Sequence, residues 1–156
     1  MPLLIAMAFE KFEAPFEEVE LLGCRDLFCG EKLMLDLVEY ERGSRVEASP
    51  PGTPTSEPAY LIGPGESSRV WRITFERPFV VRVRDQTLGS RKAQVNLPGR
   101  CCFSQQSEWL DEFVFDQRLG HYTPTHYIFD LIDNFIEIIG DDWPTIEELS
   151  RGGGSA

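Results

Sequence analysis

The stretch from His126 to Leu149 constrains this chain most. It reads His126-Tyr-Ile-Phe-Asp-Leu-Ile-Asp-Asn-Phe-Ile-Glu-Ile-Ile-Gly140, then Asp-Asp-Trp-Pro-Thr-Ile-Glu-Glu-Leu149. No other segment is as densely apolar, so the core has to be organised around it. Residues 125–129 are mostly β-branched or aromatic and suit a short strand. From Asp130 the period changes. Leu131, Ile132, Phe135, Ile136 and Ile139 fall at three- and four-residue spacing, which predicts a helix over 131–139. Asp130 suits its N-cap and Asp133 a capping-box position, where the free N–H groups and the helix dipole favour a carboxylate. Gly140 suits the left-handed stop, and Pro144 opposes renewed helix before it.

Upstream, strand patterns dominate. In Glu31–Tyr40, Leu33, Leu35 and Leu37 share one face, and Met34, Asp36, Val38 and Tyr40 the other. In residues 69–84, Trp71, Ile73 and Phe75 alternate with Arg72, Thr74 and Glu76. After Arg77-Pro78, Phe79, Val81 and Val83 alternate with Val80, Arg82 and Arg84. Two antiparallel strands joined tightly are expected, with Arg72, Arg82 and Arg84 on one solvent face. Further strands are expected near Val19–Leu22, Ala93–Leu97 and Arg100–Phe103. A second helix is expected over 107–118. Ser107 would cap it, Trp109, Leu110, Phe113 and Val114 would form its buried stripe, and Gly120 would stop it. Residues 9–17, where Phe alternates with Glu around Pro15, read as an extended arm.

The expected fold is therefore α+β: an antiparallel sheet of five to seven strands packed with helices near 107–118 and 131–139. The expected buried set is Leu33, Leu35, Leu37, Trp71, Ile73, Phe75, Phe79, Val81, Val83, Trp109, Leu110, Phe113, Phe129, Ile132, Phe135, Ile136 and Ile139. With 156 residues the chain suits one domain over 1–150 and a Gly-rich flexible tail over 151–156. Residues 42–66 hold five Pro and four Gly and read as a long loop: a lid, a partner loop or a tolerated insertion.

Charge is distributed unevenly. Residues 1–66 carry 13 acids and 5 bases, residues 69–100 carry 8 bases and 2 acids, and residues 101–156 carry 11 acids and 2 bases. The net charge of −11 disfavours nucleic acid and anionic membrane as partners. The basic segment is expected either to be neutralised internally by the acidic ones or to form a functional basic face. No apolar run approaches the ~20 residues of a membrane span. Pro2–Phe9 is too short and lacks the basic flank of a signal peptide, so a cytoplasmic location is expected.

Candidate chemistry is sparse. Cys24, Cys29, Cys101 and Cys102 lack the spacing of zinc knuckles and read as free thiols, so neither metal nor cofactor is expected. His121 and His126 are the only imidazoles. No nucleophile motif accompanies them, and no catalytic residue is assigned. Gly63-Pro-Gly-Glu-Ser-Ser68 is a turn rather than a phosphate loop. The feature that stands out is an acidic face. Asp130, Asp133, Glu137, Asp141, Asp142, Glu147 and Glu148 surround Trp143 with no Lys or Arg between them. Such a surface would steer and anchor a basic protein partner. A solvated helix face followed by an acidic tail is the plainer reading. The alternative site is an Arg-lined sheet face for a small anionic ligand, built from Arg72, Arg82, Arg84 and His126.

Three patches carry a resemblance: Trp71-Arg-Ile-Thr-Phe75 with Val81-Arg-Val-Arg-Asp85, Ser107-Glu-Trp-Leu-Asp-Glu-Phe113, and His126-Tyr-Ile-Phe129 with Phe135-Ile-Glu-Ile-Ile139 and Trp143-Pro-Thr-Ile-Glu147. Across residues 69–149 the chain resembles small uncharacterised bacterial proteins, some of them similar to immunity proteins of contact-dependent toxin systems. The resemblance implies a non-enzymatic inhibitor of a basic toxin. It carries over no catalytic residue.

Overall fold

Ten antiparallel strands in two face-to-face sheets form the architecture, seen in a computed structural model that describes residues 9–46, 59–65, 67–85, 97–132 and 134–151. The strands are β1 (Glu10–Lys11), β2 (Leu22–Cys29), β3 (Leu33–Val46), β4 (Ala59–Pro64), β5 (Arg69–Phe75), β6 (Pro78–Asp85), β7 (Cys101–Ser104), β8 (Thr125–Asp130), β9 (Asn134–Gly140) and β10 (Thr145–Arg151). One sheet runs β1-β7-β8-β9-β6. The other runs β10-β5-β3-β2, with β4 paired to the distal part of β3.

Period-two alternation builds the core. Leu33, Leu35 and Leu37 on β3 stand beside Phe75, Ile73 and Trp71 on β5 in strict register. All six are buried and point at the other sheet. Tyr127 and Phe129 on β8 and Ile136 and Ile138 on β9 meet them from that side. The Phe75 ring lies edge-on to Tyr127 at 5.0 Å, which ties the two sheets together.

The α+β expectation is thus corrected to a β-sandwich. Residues 134–140 form β9 instead of a helix, paired antiparallel with β8, and residues 131 and 132 follow the end of β8 outside any helix. The reason is burial on both faces. Ile136 and Ile138 face the core, while Ile139 packs in a second, smaller apolar cluster on the outside of the sheet, the side that alternation also gives to Phe135 and Glu137. A strand covered on both sides reads as one continuous apolar run, and such a run mimics helical spacing. β-branched Ile at three of seven positions then favours the strand.

The second expected helix shrinks to one turn, α1 (Glu108–Asp111), with Ser107 as its cap. Beyond it the chain extends, and Phe113 and Phe115 alternate onto Phe79 and Val80. Val114, expected in the buried stripe, is 98% exposed. A short 3-10 turn at Gln117–Leu119 follows, capped by Asp116. The segment 105–122 is a cover laid over the outer face of the β8–β9–β6 region.

Two other expectations change. β5 and β6 are both strands, but they do not pair with each other: Glu76 and Arg77 carry the chain from one sheet to the other. The arm at 9–17 is no free arm, since Phe12 and Phe16 are among the most completely buried side chains. Of the expected buried set, Val83 is 49% exposed on edge strand β6, while Phe79, Val81, Phe113, Ile132 and Phe135 are half-buried. The strand expected at Arg100–Phe103 is β7. Residues 93–96 lie outside the described residues, as do 47–58 and 66 of the expected 42–66 loop; the ends of that loop are strand instead, residues 42–46 in β3 and 59–64 in β4, paired antiparallel.

Candidate functional site

The Arg-lined face does not assemble as expected, because its members belong to two sheets. Arg72 sits on β5, directly opposite Asp36 on β3. Its Nε and Nη2 donate to the two Asp36 oxygens at 2.8 and 2.9 Å. Arg25 adds a contact of 3.4 Å to the same carboxylate, which is 1% exposed. The hydrogen bonds that Arg72 donates to Asp36 push its guanidinium still higher.

Arg82, Arg84 and His126 do come together, on the outside of the other sheet, around Glu137. Arg82 is Glu137's direct cross-strand partner, and it donates through Nε at 2.7 Å and Nη2 at 3.0 Å. Such a bidentate fork is the strongest form of this bond. Arg84 Nε lies 2.9 Å from Glu137 Oε2 but is poorly aligned for a hydrogen bond, so that contact is Coulombic. Burial works to raise the Glu137 carboxyl. Hydrogen bonds from His126 and Arg82, with the Arg82 charge, outweigh it and hold the group at about 2. Glu137 is therefore ionised at neutral pH, in the middle of the sheet rather than on an acidic surface.

His126 is 3% exposed, and burial pushes its imidazole below the usual histidine value despite the neighbouring carboxylate. Its Nε2 is 2.9 Å from Glu137 Oε1 and its Nδ1 is 2.7 Å from Ser107 Oγ. Because Glu137 is ionised, Nε2 must carry the proton and donate. Nδ1 then accepts from the Ser107 hydroxyl, whose oxygen accepts the Leu110 N–H at 3.2 Å. Trp109 closes the group. Its ring lies edge-on to His126 at 5.0 Å, and the Arg82 guanidinium sits 4.0 Å from its centroid. Phe9 flanks His126 from the other side at 5.3 Å.

Ser107, His126 and Glu137 have the connectivity of a hydrolase relay. Their arrangement serves a different end. The serine meets Nδ1 rather than Nε2, its oxygen is engaged in capping α1, and its side chain is buried. The chain fastens the cover to the sheet. Sequence reasoning named His126, Arg82, Arg84 and Glu137 but assigned them to two different faces, and it saw Ser107 only as a helix cap. A hairpin reading of 125–140 would have found the link, since it sets His126 diagonally across from Glu137.

The remaining acidic residues separate by environment. Asp130 ends β8 half-buried, and Asp133 lies outside the described residues. Asp141 accepts from the Thr123 N–H and pairs with Arg77 at 3.6 Å. Asp142, Trp143, Glu147 and Glu148 are exposed, along the turn after β9 and on β10, the last strand of its sheet. Trp143 is 55% exposed yet anchored, with its ring against Phe12 at 5.0 Å, Phe103 at 4.9 Å and Tyr127 at 5.7 Å.

His121 is exposed at the end of the cover, five residues before the buried His126. Cys24 and Cys29 lie on one sheet, Cys101 and Cys102 on the other, all as free thiols. Among the described residues no group of three or more His, Cys, Asp or Glu side chains is placed to hold a metal ion. Nor is any helix among them long and apolar enough to cross a membrane. No protein-family model, curated protein or solved structure matches this chain.

Proposed function

We propose that this chain is a non-enzymatic binding protein that takes a basic protein partner along the acidic edge made by β10 and the turn before it, which carries Asp142, Trp143, Glu147 and Glu148. It acts in the cytoplasm, as an immunity-type inhibitor of a basic toxin does. The observation that carries the reading is where the arginines go. Arg69 pairs with Glu39, Arg72 with Asp36, Arg77 with Asp141, and Arg82 and Arg84 with Glu137. Arg100 donates to the Glu20 carbonyl. Among the described residues the arginines of the basic segment are engaged within the fold, which weakens the anionic-ligand alternative and leaves Asp142, Glu147 and Glu148 as exposed acids. Trp143 adds what charge alone lacks: a large, half-exposed ring already immobilised, so that binding it sacrifices little rotamer entropy.

The test is capture of partners from native lysate, followed by binding kinetics at two salt concentrations. Charge reversal of Asp142, Glu147 and Glu148 should mainly slow association, and the defect should shrink as salt rises, because exposed charges are screened beyond ~8 Å at physiological ionic strength. Trp143→Ala should instead raise the dissociation rate. Reversal of the exposed Glu10, Glu13 and Glu18 is the control. Kinetics indifferent to the first set, or equally sensitive to the control set, refute the reading.

A further inference from the structure

We infer that His126 is an acid-released latch: its protonation unfastens the 105–122 cover from the outer face of the β8–β9–β6 sheet. The cover touches this face through two kinds of contact. One is apolar, where Trp109 and Leu110 meet Ile139, with Phe79, Val80, Phe113 and Phe115 around them. The other is polar: the Arg82 guanidinium over the Trp109 ring at 4.0 Å, the Gln105–Thr125 hydrogen bond at 3.5 Å and, the one of the three that is fully buried, the hydrogen bond between Ser107 Oγ and His126 Nδ1 at 2.7 Å. That bond runs in one direction. Nδ1 has to be bare to accept the serine proton, because the serine oxygen already accepts the Leu110 N–H.

A proton on Nδ1 reverses the bond. The imidazolium becomes a donor at both nitrogens. Ser107 Oγ then faces two N–H donors, and its own proton has to find another acceptor in a buried site. Leaving a buried donor without a partner costs about 1–3 kcal/mol. The charge balance worsens as well. The groups facing His126 are Glu137 from β9, Arg82 and Arg84 from β6, and Ser107 and Trp109 from the cover, with the Phe9 ring beside them. One carboxylate, with four contacts already converging on its two oxygens, would have to offset three cations. The acids of the cover itself, Glu108, Asp111, Glu112 and Asp116, face solvent and do not help.

The sign is fixed by the direction of the imidazole's displacement. Burial lowers His126 in the folded state, so the latch is closed above the ordinary histidine value of 6.5 and opens as pH falls below it. Glu137, held at about 2, stays ionised throughout that window and does not share the transition. His126 and Glu137 stand on the outer face of β8 and β9 and are not among the side chains packed between the sheets, so release exposes the outer face without unfolding the sandwich.

The experiment is NMR on the intact chain. Long-range ¹⁵N correlation reads the His126 tautomer, and amide exchange, expressed as protection relative to the free-chain rate at each pH, reads the cover. At neutral pH the Nε2–H tautomer and a protected Leu110 amide are expected. As His126 titrates below 6.5, Leu110 protection should fall at least tenfold while that of Ile138 stays level. His126→Gln should make Leu110 protection independent of pH over the same range. Ser107→Ala should leave Leu110 unprotected at neutral pH, and Ser107→Thr should restore the titration. The proposal fails if His126 carries its proton on Nδ1, if it titrates with Leu110 unchanged, or if His126→Gln keeps the pH-dependent loss. Should a variant fail to fold, the wild-type tautomer and titration decide the matter alone.

Discussion

Arg72 and Asp36 face each other across β5 and β3 in direct register, joined by two hydrogen bonds of 2.8 and 2.9 Å, with the carboxylate 1% exposed. Removing one partner strands the other. Arg72→Met should lower unfolding free energy by about 3 kcal/mol, since Asp36 would keep only Arg25 at 3.4 Å. The double variant Arg72→Met with Asp36→Leu should recover most of that loss, because an apolar pair has no charge to desolvate. Chemical denaturation of the three variants checks it. A double variant no better than Arg72→Met would show that the pair is worth more than its desolvation.

β9 provides a second prediction. Ile138 is fully buried between the sheets, whereas Phe135 is half-buried on the outer face with the Arg84 guanidinium 5.8 Å from its ring. Ile138→Ala should therefore cost about 3 kcal/mol, in the range of core truncations, and Phe135→Ala clearly less. A helix over 131–139 would give the opposite order. Equilibrium denaturation of both variants decides between the two.

The Glu137 carboxyl sets an acid limit on stability. Its folded value of about 2 lies below the ordinary 4.5, so the folded state binds its proton less readily than the unfolded chain does. The associated stability is fully present above 4.5 and is lost as pH falls through about 2. Its size is on the order of 3 kcal/mol. Urea titrations across this range should show the loss in wild type. Glu137→Gln should be less stable at neutral pH and should lose less on acidification.

The thiols should react unequally. Burial pushes Cys24 up to about 11 and raises Cys101 and Cys102, while Cys29 is exposed at the end of β2. Since the thiolate is the reacting form, iodoacetamide at mildly alkaline pH should label Cys29 first and the other three only slowly. Peptide mapping over time reads the order. Rapid labelling of Cys101 would show that β7 is open to solvent.

Where one face of a strand meets solvent or a salt bridge, the pattern was legible. Leu33 to Leu37 alternate with Met34 and Asp36, and Trp71 to Phe75 with Arg72 and Thr74, and both strands could be read directly. β9 could not. Its outer face is dry because Trp109 and Leu110 cover it, a long-range fact with no local trace. The same blindness hid the site. Glu137 looked like one more solvated acid, and only the cross-strand register with Arg82 and the diagonal to His126 gives it a different role. The partition of β5 and β6 between sheets was equally hidden, since an alternating strand carries no mark of which neighbour it will take. Internal neutralisation of the basic segment was one of two expectations raised by the charge distribution. The ion pairs of Arg69, Arg72, Arg77, Arg82 and Arg84 now support it.

The place of β10 in its sheet has a consequence for how a cell makes this protein. β5 is flanked by β3 on one side and by β10 on the other, yet β10 is translated some seventy residues after β5. On the ribosome, the Trp71–Phe75 strand therefore waits with one edge unpaired until Thr145–Arg151 has cleared the exit tunnel. At about 5–20 residues per second that interval lasts several seconds. An open apolar edge held that long is a site for mispairing with a neighbouring nascent chain. The yield of folded protein should therefore depend on translation speed and on chaperone cover over that interval, even when the finished sandwich is stable.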